Sequence, residues 1–198
     1  MTKGQLITGR KVNTEYDLYE TPYEATKKIL NRLIEDKVLN VSKDELYECC
    51  SGAGAITKVL KEIGFTYKAS DIQAEDFIVG EKGIDVYKLP DKCCNIVFTN
   101  PPYNLMTPKK NNIETHMLKQ FLRIANDKVI LLLNIFFLSS EKRKELLKDS
   151  PLKHIYIHSD RLTMFPYGEA KPENGGTKFF AWYVWEHGYT GEPIIRWL

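Results

Sequence analysis

Residues 128–133 read KVILLL, a nearly unbroken apolar run too short for a helix of ordinary length. A strand of this kind is buried on both faces, which requires a sheet covered by helices on either side. The neighbouring segments agree. LYECC (46–50) predicts a strand broken by SGAG, and AITKVLKEI (55–63) follows with apolar residues at helical spacing. FTYKASDI (65–72) and NIVFT (95–99) read as further strands, with a short helix or strand around residues 84–86 between them. THMLKQFLRIA (115–125) sets Met117, Leu118, Phe121, Leu122 and Ala125 on one helical face, and EKRKELLKD (141–149) predicts a charged helix capped by Ser139 or Ser140. Strands alternate with helices, so the expectation is an α/β fold with a mostly parallel sheet. KHIYIH (153–158) and KFFAWYVW (178–185) have no convincing helix between them, which predicts an antiparallel hairpin at one sheet edge. Near the N-terminus, residues 22–35 predict a helix with Thr21 as cap and Pro22 in its first turn.

With 198 residues, 43% of them hydrophobic, the chain is expected to form a single domain over residues 1–198. Its 28 basic and 26 acidic residues leave a formal charge of +2, so any basic binding face must be local. The apolar runs fall far short of the roughly 20 residues that span a bilayer. The polar start MTKGQLITGRKVNTEYD lacks the apolar stretch of a secretory signal, and a cytoplasmic location is expected. The four cysteines form two adjacent pairs, Cys49-Cys50 and Cys93-Cys94. Adjacent residues of a strand point to opposite faces, whereas zinc ligands are usually spaced to turn toward one ion, so no metal site is expected.

Ligands of open α/β sheets bind beyond the carboxyl ends of the strands, where the topology reverses. Three signals lie at such ends. In ECCSGAG, Gly52 and Gly54 let the backbone approach a ligand closely, and Glu48 offers a carboxylate to a cationic group. In SDI, Asp71 stands about 20 residues beyond that turn, where an acid either binds ribose hydroxyls or caps a helix. Asp85, in GIDVYKLP, can accept from an amino group or stay solvated. The third signal, TNPPY, is the most informative. Asn100 supplies a side-chain carbonyl, Pro101 a backbone carbonyl and Tyr103 a flat ring. Those parts suit a planar group bearing an NH₂: two acceptors take its hydrogens, and stacking holds its plane. A Pro-Pro strand exit alone explains Pro101 and Pro102 and leaves Asn100 and Tyr103 unexplained.

With these motifs in this order, the chain resembles the S-adenosylmethionine-dependent amino-group DNA methyltransferases, and in particular the small phage-type adenine methyltransferases. NPPY matches their catalytic signature. YETPYEATKKIL (19–30) resembles their N-terminal cofactor segment, ECCSGAGAIT their glycine motif, and LLLNIFFLSSEKR, SDRLTMF and FFAWYVWEHGYTGEPIIRWL their later strands, so the similarity covers nearly the whole chain. The resemblance implies a Rossmann-like methyltransferase domain with a seven-stranded sheet and S-adenosylmethionine as cofactor. It implies that Glu48 holds the methionine amino end, that Ser51, Gly52 and Gly54 make close backbone contact, and that Asp71 with Ile72 meets the ribose side. Asp85 with Val86 would meet the cofactor adenine, and Thr21 and Pro22 would close over the methionine part. Asn100, Pro101, Pro102 and Tyr103 would be catalytic, orienting the target amino group for in-line attack on the sulfonium methyl, with Asn100 also beside the cofactor and Tyr103 stacked on the base. The implied partner is duplex DNA with its target base flipped out.

Glu-Cys-Cys stands where that family usually has an acid followed by Pro. A separate target-recognition region has no room in the chain, which implies low or loop-encoded specificity. Residues 105–115 and 165–177 form the two loops long enough to touch a substrate, and Lys109, Lys110 and Arg161 are the candidate phosphate contacts, with Lys109 and Lys110 equally readable as solvated loop charges. Adenine in RNA, a protein glutamine amide and a non-catalytic binding role stay open as alternatives.

Overall fold

A computed structural model of the chain describes residues 19–106, 116–139, 141–166 and 178–198. In chain order the elements are β1 (Tyr19–Glu20), α1 (Tyr23–Glu35), β2 (Glu45–Glu48), α2 (Ala55–Ile63), β3 (Thr66–Asp71), β4 (Glu81–Lys82) and β5 (Cys94–Thr99). Then follow α3 (Met117–Ile124), β6 (Ala125–Asn134), α4 (Glu141–Lys148), β7 (Leu152–Ile157), β8 (Phe165–Pro166), β9 (Phe180–Glu186) and β10 (Ile194–Trp197). One eight-stranded sheet runs β10-β7-β9-β6-β5-β2-β3-β4, and β1 pairs with β8 in a separate short ribbon. Only β9 is antiparallel to its neighbours in the large sheet. The α/β fold read from the sequence is therefore the one observed.

Strand β6 alternates between two cores. Val129, Leu131 and Leu133 face α3 and α4, while Ile130 and Leu132 face α1 and α2. This is why its sequence is apolar at nearly every position. Helix α2 begins after Gly54 and ends at Gly64, both left-handed, and lays Ile56, Val59 and Leu60 on the sheet. Behind β5, Phe98 stacks on Trp182 with ring centroids 4.8 Å apart, and both are fully buried. Burial of each such aromatic contributes on the order of 1.5–3 kcal/mol.

The sheet corrects three expectations. It has eight strands rather than seven, because residues 194–197 continue past Pro193 as a parallel strand on β7, with the Leu198 N–H donating to Ile157 at 2.9 Å. The antiparallel pair β7 and β9 forms as expected but is not at the edge. All but the last residue of β9 are buried, so it inserts between β6 and β7 and leaves β10 outside. Thr21 does not cap α1. Pro22 holds the cap position, and the Thr21 hydroxyl is taken by Asn100 instead.

Candidate active site

The chain turns from one side of the sheet to the other between β2 and β5, and the carboxyl ends of β2, β3 and β5 frame a cleft of about 350 Å³ there. Its first wall is laced by hydrogen bonds. Asp71, ending β3, accepts the Gly52 N–H on one carboxylate oxygen and the Gln73 N–H on the other, each at 2.9 Å. Ser51 donates its hydroxyl to Val79 at 2.6 Å, and the Val79 N–H returns to the Gly52 carbonyl at 3.0 Å. The turn requires Gly52 in a left-handed conformation at φ 48°. Asp85 accepts the Tyr87 N–H at 3.0 Å and so caps a short 3₁₀ turn, Val86–Lys88, which replaces the helix or strand expected around residues 84–86. Asp71 thus acts as the clasp of the glycine turn and also lines the cleft. Ile72 stands at the rim, 63% exposed, and Val86 lies on the floor.

At the base of the cleft lies Glu48, fully buried. One of its oxygens accepts the Thr99 hydroxyl and the Cys50 N–H, and the other, Oε2, has no hydrogen-bond partner among the described residues. Burial pushes its pKa well above the usual carboxyl range, against the smaller opposing pull of the Thr99 hydroxyl. A buried acid with an orphaned oxygen fits a cationic group, which would restore its charge.

The second wall is the turn after β5. Asn100 donates its amide N–H to the Thr21 hydroxyl at 3.0 Å, which leaves its carbonyl Oδ1 buried and without a partner among the described residues. Pro101 and Pro102 fix the chain beside it, and the Tyr103 ring packs against Phe180 with centroids 6.0 Å apart. A smaller cavity of about 300 Å³ lies beyond Tyr103, lined on its far side by Asn134, Phe136 and Arg143.

Most of the expected site residues meet in the first cleft: Thr21, Glu48, Ser51, Gly52, Asp71, Ile72, Asp85, Val86, Asn100, Pro101, Pro102 and Tyr103 line it. Gly54 and Pro22 do not. A side chain on Gly54 would meet Val79 Cγ2 at 2.7 Å, so this glycine serves the packing of the turn rather than a ligand. Arg161 lies outside both cavities, its guanidinium 5.6 Å from the Phe179 ring centroid, and Lys109 and Lys110 lie outside the described residues. Thr99, Tyr19 and Cys50 at the cleft, and Phe136 and Arg143 at the second cavity, were not singled out from the sequence. Thr99 had a signal, since a hydroxyl ending an apolar strand needs a buried partner.

No protein-family model matches the sequence, and no curated protein shows significant similarity to it. Solved structures do match the fold. A candidate RNA methyltransferase from Pyrococcus horikoshii superposes over 90% of this chain and 90% of its own, at a TM-score of 0.61 and 16% identity. The modification subunit of a candidate type I restriction enzyme from Vibrio vulnificus matches 91% of this chain and 46% of its own, at 0.55 and 10%. The fold is one that these methyltransferase structures share. A predicted O-methyltransferase from Agrobacterium tumefaciens shares this methyltransferase fold over 81% of each chain, at 0.53 and 13%. Among the described residues, no helix is long and apolar enough to cross a membrane, and no cluster of His, Cys, Asp or Glu has metal-site geometry.

Proposed function

We propose that the protein transfers a methyl group from S-adenosylmethionine to the exocyclic amino group of adenine in DNA. The observation that carries this reading is the unpartnered Asn100 carbonyl, held in place by Thr21 and set between Pro101 and the Tyr103 ring at the mouth of the cleft. A buried acceptor of this kind costs about 1–3 kcal/mol unless a ligand supplies a donor, and an aromatic NH₂ is a donor that a flat ring can hold in plane.

When bound, S-adenosylmethionine supplies an electrophilic methyl group on a sulfonium. The orphaned Oε2 of Glu48 would take its ammonium group, the Gly52 turn its methionine backbone, and Asp71 and Asp85 its ribose and adenine, with Ile72 covering the ring. Asn100 and Pro101 accept the two N–H bonds of the target amino group, which turns the nitrogen lone pair out of conjugation and toward the methyl. The residues contribute mainly orientation, the advantage of holding two reactants at bonding approach. On this reading, recognition of a site falls to loops or a partner. This fits a small, phage-type enzyme of low specificity.

Methyl transfer from labelled S-adenosylmethionine to unmethylated DNA and to RNA, read by nucleoside mass spectrometry, tests the proposal. N6-methyladenine should form in DNA, and Asn100→Ala should lower turnover by about 10²–10⁴-fold while cofactor affinity changes little, as for loss of an orienting group. Product in RNA alone would move the substrate to RNA, since Asn100 and Pro101 address the base and not the sugar. No product on either would end this reading.

A further inference from the structure

The surface beyond Tyr103 carries exposed rings that the methyl-transfer geometry does not use. Phe136, at the far side of the second cavity, is 60% exposed, Leu138 next to it 38%, and Phe179 41%. Their segments lie side by side as one strip of chain, because the Ile135 N–H donates to the Phe179 carbonyl at 2.9 Å. Two guanidinium groups flank it. Arg143 donates to the Phe136 carbonyl at 2.9 Å, and Arg161 lies over the Phe179 ring. Nearby Asp160 is held by Lys28 at 2.9 Å, and Arg161 has no ion pair among the described residues. One end of the strip opens on Tyr103, whose ring borders both cavities.

An isolated exposed phenylalanine needs no explanation, but two on neighbouring segments, each with an arginine at hand and close to the candidate catalytic turn, do. Alternating π-faces and fixed cations are the chemistry of single-stranded nucleic acid binding: bases stack on rings or guanidinium planes, and the cations meet phosphates. Duplex bases, stacked on each other, offer no free faces to such a strip. We infer that Phe136 and Phe179, with Arg143 and Arg161, form a stacking track for the unpaired nucleotides flanking the target, so that the protein takes its acceptor as a single strand. This rests on reading the Asn100 cleft as a nucleic-acid site.

Fluorescence anisotropy with fluorescein-labelled 12-nucleotide strands of mixed sequence, in DNA and in RNA, and with the corresponding DNA duplex tests it. The full-length protein should bind single strands at least about 10-fold more tightly than duplex, and the Phe136→Ala/Phe179→Ala pair should lose at least about 10-fold of that affinity at unchanged melting temperature. Arg161→Gln should reduce the slope of log affinity against log salt by about 1. Equal affinity for strand and duplex, or full affinity in the double alanine variant, overturns the track even if methyl transfer proceeds. Strand binding that depends on both phenylalanines without methyl transfer keeps the track and removes the catalytic reading.

Discussion

Around Asp71 both carboxylate oxygens are held by backbone N–H groups, whereas the Asn100 carbonyl oxygen has no donor among the described residues. The two walls of the cleft thus differ in kind. The glycine wall is finished by its own hydrogen bonds and is preorganised before any ligand arrives. The Asn100 wall, with Phe136 and Phe179 beyond it, is complete only when something else supplies donors and ring faces. Rigidity on one side and unused hydrogen-bonding capacity on the other suit a site that grips one molecule in a fixed pose and accepts a variable second one.

The sharpest way to break the first wall is at Gly80. It takes φ 93°, and a Cβ there would lie 2.2 Å from the Ala69 carbonyl oxygen in β3. Gly80→Ala should cost at least about 3 kcal/mol in urea unfolding and abolish cofactor binding, since Val79 beside it anchors Ser51 and Gly52.

The second wall should fail first in acid. His158 is buried, its backbone N–H donates to Phe180 behind Tyr103, and neither ring nitrogen has a hydrogen-bond partner among the described residues. Burial, aided by Lys28, lowers its pKa from 6.5 to about 4. Between those two values the unfolded chain binds the proton and the folded chain does not, so stability falls as pH drops from about 6.5 to about 4, by about 3 kcal/mol in all. Unfolding free energies measured across this range should lose that slope in His158→Phe.

Glu48 gives an effect of the opposite sign. Its folded pKa is raised, so the folded chain holds the proton more tightly, and stability falls as pH rises above the ordinary carboxyl value of 4.5. Glu48→Gln should therefore melt higher than the parent at pH 8 in the absence of ligand, yet bind S-adenosylmethionine about 10–100-fold more weakly by calorimetry, as for loss of one charge-assisted contact. A variant that loses both stability and affinity would show that the acid supports the fold rather than the ligand.

The sequence made the first wall easier to read than the second. Gly54 and Gly64 bracket α2 because both adopt left-handed angles, and the helix was legible to the residue. The carboxyl-end acids were legible as well, although their backbone bonds were not, because those depend on where Gly52, Gln73 and Tyr87 turn in space. Thr21 looked like a helix cap, and only the tertiary approach of Asn100 diverts its hydroxyl. Phe136 was hidden for another reason: within LLLNIFFL it reads as core, and the 3₁₀ turn Ile135–Leu138 that exposes it has no period to betray it. Strand β10 escaped notice because Ile194, Ile195 and Trp197 are 42–65% exposed and carry no burial alternation.

The insertion of β9 between β6 and β7 also bears on how the protein is made. During synthesis β6 emerges before β7, but the two never pair, and the strand that joins them is translated after both. Until β9 arrives, the edge of β6 formed by Leu131, Leu132 and Leu133 has no partner on that side. Such a gap is an aggregation-prone template, and filling it requires non-local pairing, which slows folding. A nascent chain stalled between β7 and β9 should accordingly be a chaperone client, released when Trp182 and its neighbours zip the two halves of the sheet together.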